Sequence, residues 1–163
     1  MELYLGLGSN LGDREANIRK ALELLDACLP GRMVAVSPFL ENPSDGFEGP
    51  DFLNAVALWD ICLPGPCRSG DNEEEMCDFA LRLLASCKGV EQKMGRFSKP
   101  LYDDGGKRIY SSRIIDVDVL MLGGFSMDTA ELTLPHPRMF ERDFVTIPLA
   151  TLPGGKDILL KMK

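Results

Sequence analysis

The sequence predicts an α+β sandwich, one antiparallel sheet with two helices packed against it. Three observations carry this. Leu3, Leu5 and Leu7 alternate with small or polar residues in "ELYLGLG" (residues 2–8), the period of a strand. Apolar residues recur three and four apart after Asp13 and again after Glu73, the period of a helix. The two kinds of segment follow one another as strand, helix, strand, strand, helix, strand, with no internal repeat. The 163 residues fit one domain, read as spanning residues 1–163.

Each element has its own reason. "ELYLGLG" turns its three leucines to one face. "SNLGDR" then leads into a helix from about Asp13, whose carboxylate suits an N-cap because it accepts from the orphan N–H groups of the first turn. Ile18, Ala21, Leu22, Leu25 and Leu29 make the apolar stripe, and Pro30-Gly31 stop the helix. "RMVAVSPF" (32–39) is the second strand. "LENPSDGFEGP" (40–50) is rich in Pro, Gly and Asp and too long for a minimal turn, which marks a binding loop. "DFLNAVALWDI" (51–61) is the third strand, and "CLPGPCRSGDNEE" (62–74) an exposed linker. A second helix runs from about Glu73 to Lys88, with Met76, Phe79, Leu83 and Cys87 inward and Gly89 near its end. Residues 96–112 form a second long polar loop before the strand "RIIDVDVLML" (113–122). A "GGFS" turn, a short "ELTLPHP" segment and a last strand, "DFVTIPLA" (143–150), complete the chain. The order matches a ferredoxin-like βαββαβ sandwich, helices on one face of the sheet and an open face opposite for a site.

Composition narrows the function. A net charge of -7 opposes nucleic-acid binding. No apolar run reaches membrane-spanning length, and "MELYLGLGSN" has neither the basic start nor the cleavage pattern of a signal peptide. Cys28, Cys62, Cys67, Cys77 and Cys87 are odd in number, lack any CxxC and have a single histidine for company. A disulfide framework or zinc site is therefore not expected, and the chain reads as a cytoplasmic monomer acting on small molecules. Of its 18 Lys and Arg, Lys93, Arg96, Lys99, Lys107, Arg108 and Arg113 crowd into one stretch.

That stretch leads directly into Asp116 and Asp118. Residues two apart on a strand share a face, so the two carboxylates repel each other unless that face is wet or holds positive charge. Hard oxygen ligands at this spacing suit Mg²⁺, which keeps much of its water and accepts phosphate oxygens. Two such ions can clamp the oxygens of a phosphoryl transfer, with Arg96 and Arg113 adding the charge a polyphosphate needs. The plainer reading is a pair of solvated acids on an exposed sheet face.

"GLGSNLGDR", "PDFLNA", "VEQKMGR", "RIIDVDVLML" and "LTLPHPRMFERDFVTIPL", in that order, resemble the 6-hydroxymethyl-7,8-dihydropterin pyrophosphokinase family of folate biosynthesis. The resemblance covers nearly the whole chain and is weakest over 62–78 and 97–112. It implies the ferredoxin-like fold and transfer of diphosphate from ATP to a pterin alcohol. It further implies that Asp116 and Asp118 hold two Mg²⁺ and that Arg113, Arg96, Glu91 and His136 serve ATP. Phe52 and Phe144 then sandwich the pterin, Asn54 reads its edge, and Asn42 and Pro43 lie beside the ring. Two aromatic faces and an amide with donor and acceptor suit a flat polar heterocycle, although a phenylalanine on a strand is ordinarily core. Gly8, Ser9 and Asn10 are given a part in shaping the site, with no ligand contact assigned to them.

The chain departs from the family pattern in places. Ser98 stands where a second loop arginine is usual, Tyr110 where a tryptophan is, Glu131 where an arginine is, and Pro137 where an aromatic follows the histidine. The 97–112 loop is also longer; either Lys107 or Arg108 takes over a phosphate contact while Tyr110 covers the site, or the loop is a plain hairpin tip whose charges face water. Two rival readings are another two-metal enzyme, such as a nucleotidyl transferase or cyclase, and a non-catalytic small-ligand module. The first needs no pterin cage, and the second leaves Asp116 and Asp118 without a purpose.

Overall fold

A computed structural model describes all residues except 45–46, 66–71, 97–100, 110–111 and 163. Strand β1 (Glu2–Ser9) enters helix α1 (Arg14–Cys28) through Asp13, whose side chain accepts from the Ala16 N–H at 3.1 Å. The chain returns through β2 (Gly31–Val36), adds a short β3 (Leu40–Asn42), and crosses the sheet as β4 (Phe52–Ile61). Helix α2 (Glu73–Lys93) is capped by the Asn72 side chain, and Glu73, Glu74 and Glu75 complement the positive end of its dipole. A hairpin, β5 (Leu101–Tyr102) with β6 (Arg108–Ile109), precedes β7 (Asp116–Leu122). A second small hairpin, β8 (Met127–Asp128) with β9 (Thr133–Leu134), leads to helices α3 (Asp143–Ala150) and α4 (Gly155–Lys161).

The main sheet is antiparallel in the order β2-β4-β1-β7, with β3 also pairing with β4. With α1 and α2 on one face, this is the expected ferredoxin-like α+β fold. Leu3, Leu5 and Leu7 face those helices as the alternation predicts, and Trp59 is fully buried among them. Its indole N–H donates to Asp26, so the largest core side chain leaves no polar group unpaired.

Four segments differ from the sequence expectation. The loop at 40–50 opens with β3, since Leu40 and Asn42 can pair with the free end of β4. Helix α2 continues through Gly89 to Lys93, because burial of Val90 and Glu91 outweighs glycine's weak preference against helix. The polar loop at 96–112 contains the β5–β6 hairpin, turned by Asp103, whose carboxylate accepts from the Gly105 and Lys107 N–H groups.

The largest correction is "DFVTIPLA", which forms helix α3 and not a strand. Its β-branched and aromatic content suggests a strand, but its buried residues are Val145, Pro148 and Leu149, at helical spacing. They pack with Tyr4, Val56, Leu58, Leu120 and Met139 into a second core on the face opposite α1 and α2. The fourth strand of the sandwich is β7, as the strand and helix order expects, and α3 covers part of the face expected to be open.

Candidate active site

The sheet register lays out the site. Gly8 of β1 pairs with Asn54 of β4 on one side and with Asp116 of β7 on the other. One row across the sheet thus reads Asn54, Gly8, Asp116. The next row toward α3 reads Val56, Gly6, Asp118. Two glycines on the central strand leave a trough between an amide and a pair of carboxylates. Strands lie about 4.8 Å apart, so the trough is about 10 Å wide from β4 to β7. It forms the floor of a cavity of about 310 Å³.

The walls gather side chains that are distant in sequence. Phe52 and Phe144 both border the cavity and both are only half-buried, unlike ordinary core phenylalanines. Phe47, from the loop after β3, meets the Phe52 ring edge-on at 6.3 Å. The Asn54 amide donates to the Asn42 side-chain oxygen, and Asn42 also borders the cavity. Pro43 is exposed next to Asn42 and stands outside the walls, with its carbonyl accepting from the Asn42 amide at 3.0 Å.

Charge on the other side of the trough is ordered by burial and pairing. Asp116 accepts from Arg96 at 2.6 Å and lies 3.1 Å from an Arg113 guanidinium nitrogen. Burial pushes the Asp116 carboxyl up, but Arg113 and Arg96 outweigh it and hold it below the ordinary range. At Asp118 the charges of Lys88 and Arg142 pull the pKa down but are outweighed. Burial, followed by the charge of Asp116, pushes it up to about 7. A half-buried carboxylate this reluctant to ionise calls for a cation, and both aspartates offer hard oxygens. Among the described residues no cluster of three or more His, Cys, Asp or Glu side chains could hold a metal. Two carboxylates with water and phosphate oxygens completing the shell fit Mg²⁺, which seldom uses an all-protein cage.

Arg96 and Glu91 stand behind β7 and do not border the cavity. Glu91 is buried on α2 and accepts from the Val117 N–H at 2.8 Å and from Arg96 at 2.9 Å. Burial raises its carboxyl pKa, with Lys88, the Val117 N–H and Arg96 pulling the other way. The same Arg96 nitrogen reaches Asp116 and the Ile115 carbonyl, so its charge is spent inward. Arg113 does border the cavity, and its backbone N–H donates to the Asn10 side-chain oxygen at 2.7 Å. Asn10 is itself buried and donates to the Pro50 carbonyl and the Ser112 hydroxyl, fixing three loops at the mouth of the site.

His136 also borders the cavity, with its backbone N–H donating to the Leu120 carbonyl of β7. Its Nδ1 accepts from the Arg138 N–H, and burial, then Arg142, push its pKa down, so a neutral ring is favoured. Ser98 and Tyr110 lie outside the described residues. Lys107 is exposed at the hairpin tip, and Arg108 begins the return strand β6.

The sequence reading missed Phe47, Lys88, Arg138 and Arg142 as cavity residues. Arg138 and Arg142 lie in the turn that leads into α3, a stretch to which the sequence reading gave no element. Arg142 precedes α3, and its guanidinium lies 5.4 Å from the Phe144 ring centre.

Comparison with known proteins adds the family. The model of the 7,8-dihydro-6-hydroxymethylpterin-pyrophosphokinase family matches residues 4–153. A 2-amino-4-hydroxy-6-hydroxymethyldihydropteridine pyrophosphokinase of Porphyromonas gingivalis is 37% identical over 150 residues, covering 91% of this chain and 88% of its own. One of Bacillus subtilis, with the same name, is 31% identical over 151 residues, covering 91% and 76%. The mitochondrial folate synthesis bifunctional protein of Pisum sativum is 35% identical over 153 residues, covering 94% of this chain and 25% of that protein.

Proposed function

We infer the function from one premise: the chain belongs to the 7,8-dihydro-6-hydroxymethylpterin-pyrophosphokinase family. Its reaction is transfer of diphosphate to the hydroxymethyl group of 6-hydroxymethyl-7,8-dihydropterin in folate synthesis. ATP is the donor and AMP the second product. The observation that carries this reading is the row Asn54, Gly8, Asp116. It sets a heterocycle-reading amide and a carboxylate pair on opposite banks of a side-chain-free trough.

The pterin ring lies over Gly6 and Gly8 between Phe52 and Phe144, with its polar edge toward Asn54 and Asn42. Pro43 limits the loop beside it. This orientation points the hydroxymethyl group across β1 at Asp116 and Asp118. Those two residues would hold Mg²⁺, which neutralises phosphate charge and lowers the pKa of a nearby alcohol when bound. Arg113 and the neutral His136 face the triphosphate from the cavity wall, Arg138 and Arg142 from its rim. The alcohol oxygen attacks the β-phosphorus, the bond to the α-phosphate oxygen breaks, and AMP carries away the bonding pair. The proton of the alcohol passes to solvent or phosphate. The barrier falls through positioning and fixed charge, without a dedicated protein base. Glu91 and Arg96 serve nucleotide binding by holding Asp116 and β7 in place, and Arg96 reaches phosphate only by leaving that network. Lys107, exposed at the hairpin tip, supplies a further phosphate contact when the hairpin folds over. Among the described residues no helix is long and apolar enough to cross a membrane.

The test is to incubate the protein with ATP, Mg²⁺ and the reduced pterin alcohol and to identify the products. AMP with a pterin diphosphate is expected. ADP, a cyclic nucleotide or no turnover overturns the reading.

A further inference from the structure

Helix α2 packs on the face of the sheet opposite the cavity, yet one of its side chains reaches the site. Strand β7 ends the main sheet, so a long side chain from behind can pass around its edge. Lys88 does so and borders the cavity beside Asp116 and Asp118. Its neighbour Cys87 points into the core, which fixes the turn of the helix and leaves Lys88 at the sheet edge. The Lys88 ammonium lies 3.5 Å from the Glu91 carboxylate, and its side chain is 48% exposed.

That tie is long. At 3.5 Å it is at the outer limit of a hydrogen bond. Although Glu91 is buried and the Lys88 charge does most to offset that burial, the ammonium end of the pair is half in solvent. The Glu91 carboxylate already accepts from Arg96 and from the Val117 N–H, so it keeps close donors if Lys88 departs. Arg96, by contrast, is committed to Glu91, Asp116 and the Ile115 carbonyl. A triphosphate entering between two carboxylates needs cations that can turn to it. A four-carbon stem with a compact ammonium suits that task.

We propose that Lys88 binds the triphosphate of the nucleotide, delivered from α2 around the edge of the sheet, with Glu91 as its resting partner in the unliganded protein. This rests on the functional reading above and adds a residue to it. The bland alternative is a helix-surface ion pair with no ligand role.

Calorimetric titration of the full chain separates these. The titrants are the Mg²⁺ complex of α,β-methylene ATP, AMP, and the pterin alcohol, against the parent protein, Lys88→Met and Lys88→Arg. Loss of one charge-assisted contact corresponds to about tenfold in affinity. Lys88→Met is therefore expected to weaken the triphosphate analogue by about that factor, with AMP and pterin binding nearly unchanged, and Lys88→Arg to restore most of it. An analogue affinity in Lys88→Met equal to the parent's overturns the proposal, as does an equal loss for AMP and the analogue. If the parent binds neither analogue nor pterin, the functional reading itself falls, and Lys88 with it.

Discussion

At the scale of single residues, the two aspartates are not equivalent. Asp116 is the joint between Arg96 and Arg113, whereas Asp118 is a half-buried carboxylate opposed by its neighbour. Asp116→Ala removes the carboxylate that two partly buried guanidinium groups share and should cost about 2 kcal/mol of stability, the scale of a lost charge-assisted hydrogen bond. Asp118→Asn should instead stabilise the ligand-free protein at neutral pH by about 1 kcal/mol or more, since each unit of raised pKa is about 1.4 kcal/mol. The sign follows from linkage. The folded protein binds the Asp118 proton more tightly than the unfolded chain, so stability present in acid is lost as pH rises from the ordinary aspartate range through about 7. Urea melts at several pH values should show that decline in the parent and a flatter profile in Asp118→Asn, with turnover nearly abolished in both variants. A second prediction concerns the pterin cage. Phe144→Ala should weaken pterin binding by about 1–3 kcal/mol, the value of a stacked base on an aromatic face. Nucleotide affinity should change little, and equal losses for both ligands would make Phe144 a packing residue only.

Elements show where the sequence was legible and where it was not. Strand β1 and helix α1 can be read directly, because period-two leucines and an N-cap aspartate are local signals. The carboxylate pair on β7 is equally local, and so is the suspicion that positive charge must stand near it. Helix α3 was not legible: Val145, Ile147 and Phe144 favour a strand, and only packing on Tyr4, Leu58 and Leu120 decides for a helix. The inward turn of Arg96 was also hidden, since its partners Glu91, Ile115 and Asp116 are brought together by the pairing of α2 with β7. The β5–β6 hairpin offers a test at this scale. If it closes over bound substrates, neutralising Lys107 and Arg108 together should lower turnover with both substrates bound far more than it weakens nucleotide binding to the free protein. Normal turnover in that double variant would leave the phosphate contacts to the cavity wall alone.

For the whole molecule, one sheet separates two cores of different purpose. The core under α1 and α2 holds the fold, and the smaller one under α3 also walls the cavity through Val145. Leu83→Ala and Leu149→Ala remove equally buried leucines from the two sides and should each cost about 2–5 kcal/mol. Under conditions where both variants remain folded, only Leu149→Ala should also loosen pterin binding. Denaturant melts and calorimetry on the pair would show it, and a matched loss of affinity in Leu83→Ala would contradict this division.

The bare floor of the trough also bears on inhibitor resistance. A compound seated over Gly6 and Gly8 touches main chain there, which no substitution can take away. Escape at those positions must proceed by adding atoms. At Gly8 a Cβ would lie 2.8 Å from the Asn54 side-chain oxygen and 3.5 Å from the Phe52 ring, so a change that expels the compound also displaces the groups that recognise the pterin. Gly6 is more permissive, because its Cβ would meet only the Leu120 side chain at an ordinary 3.5 Å. Inhibitors that lean on Gly8 should therefore select resistance less readily than those that lean on Gly6.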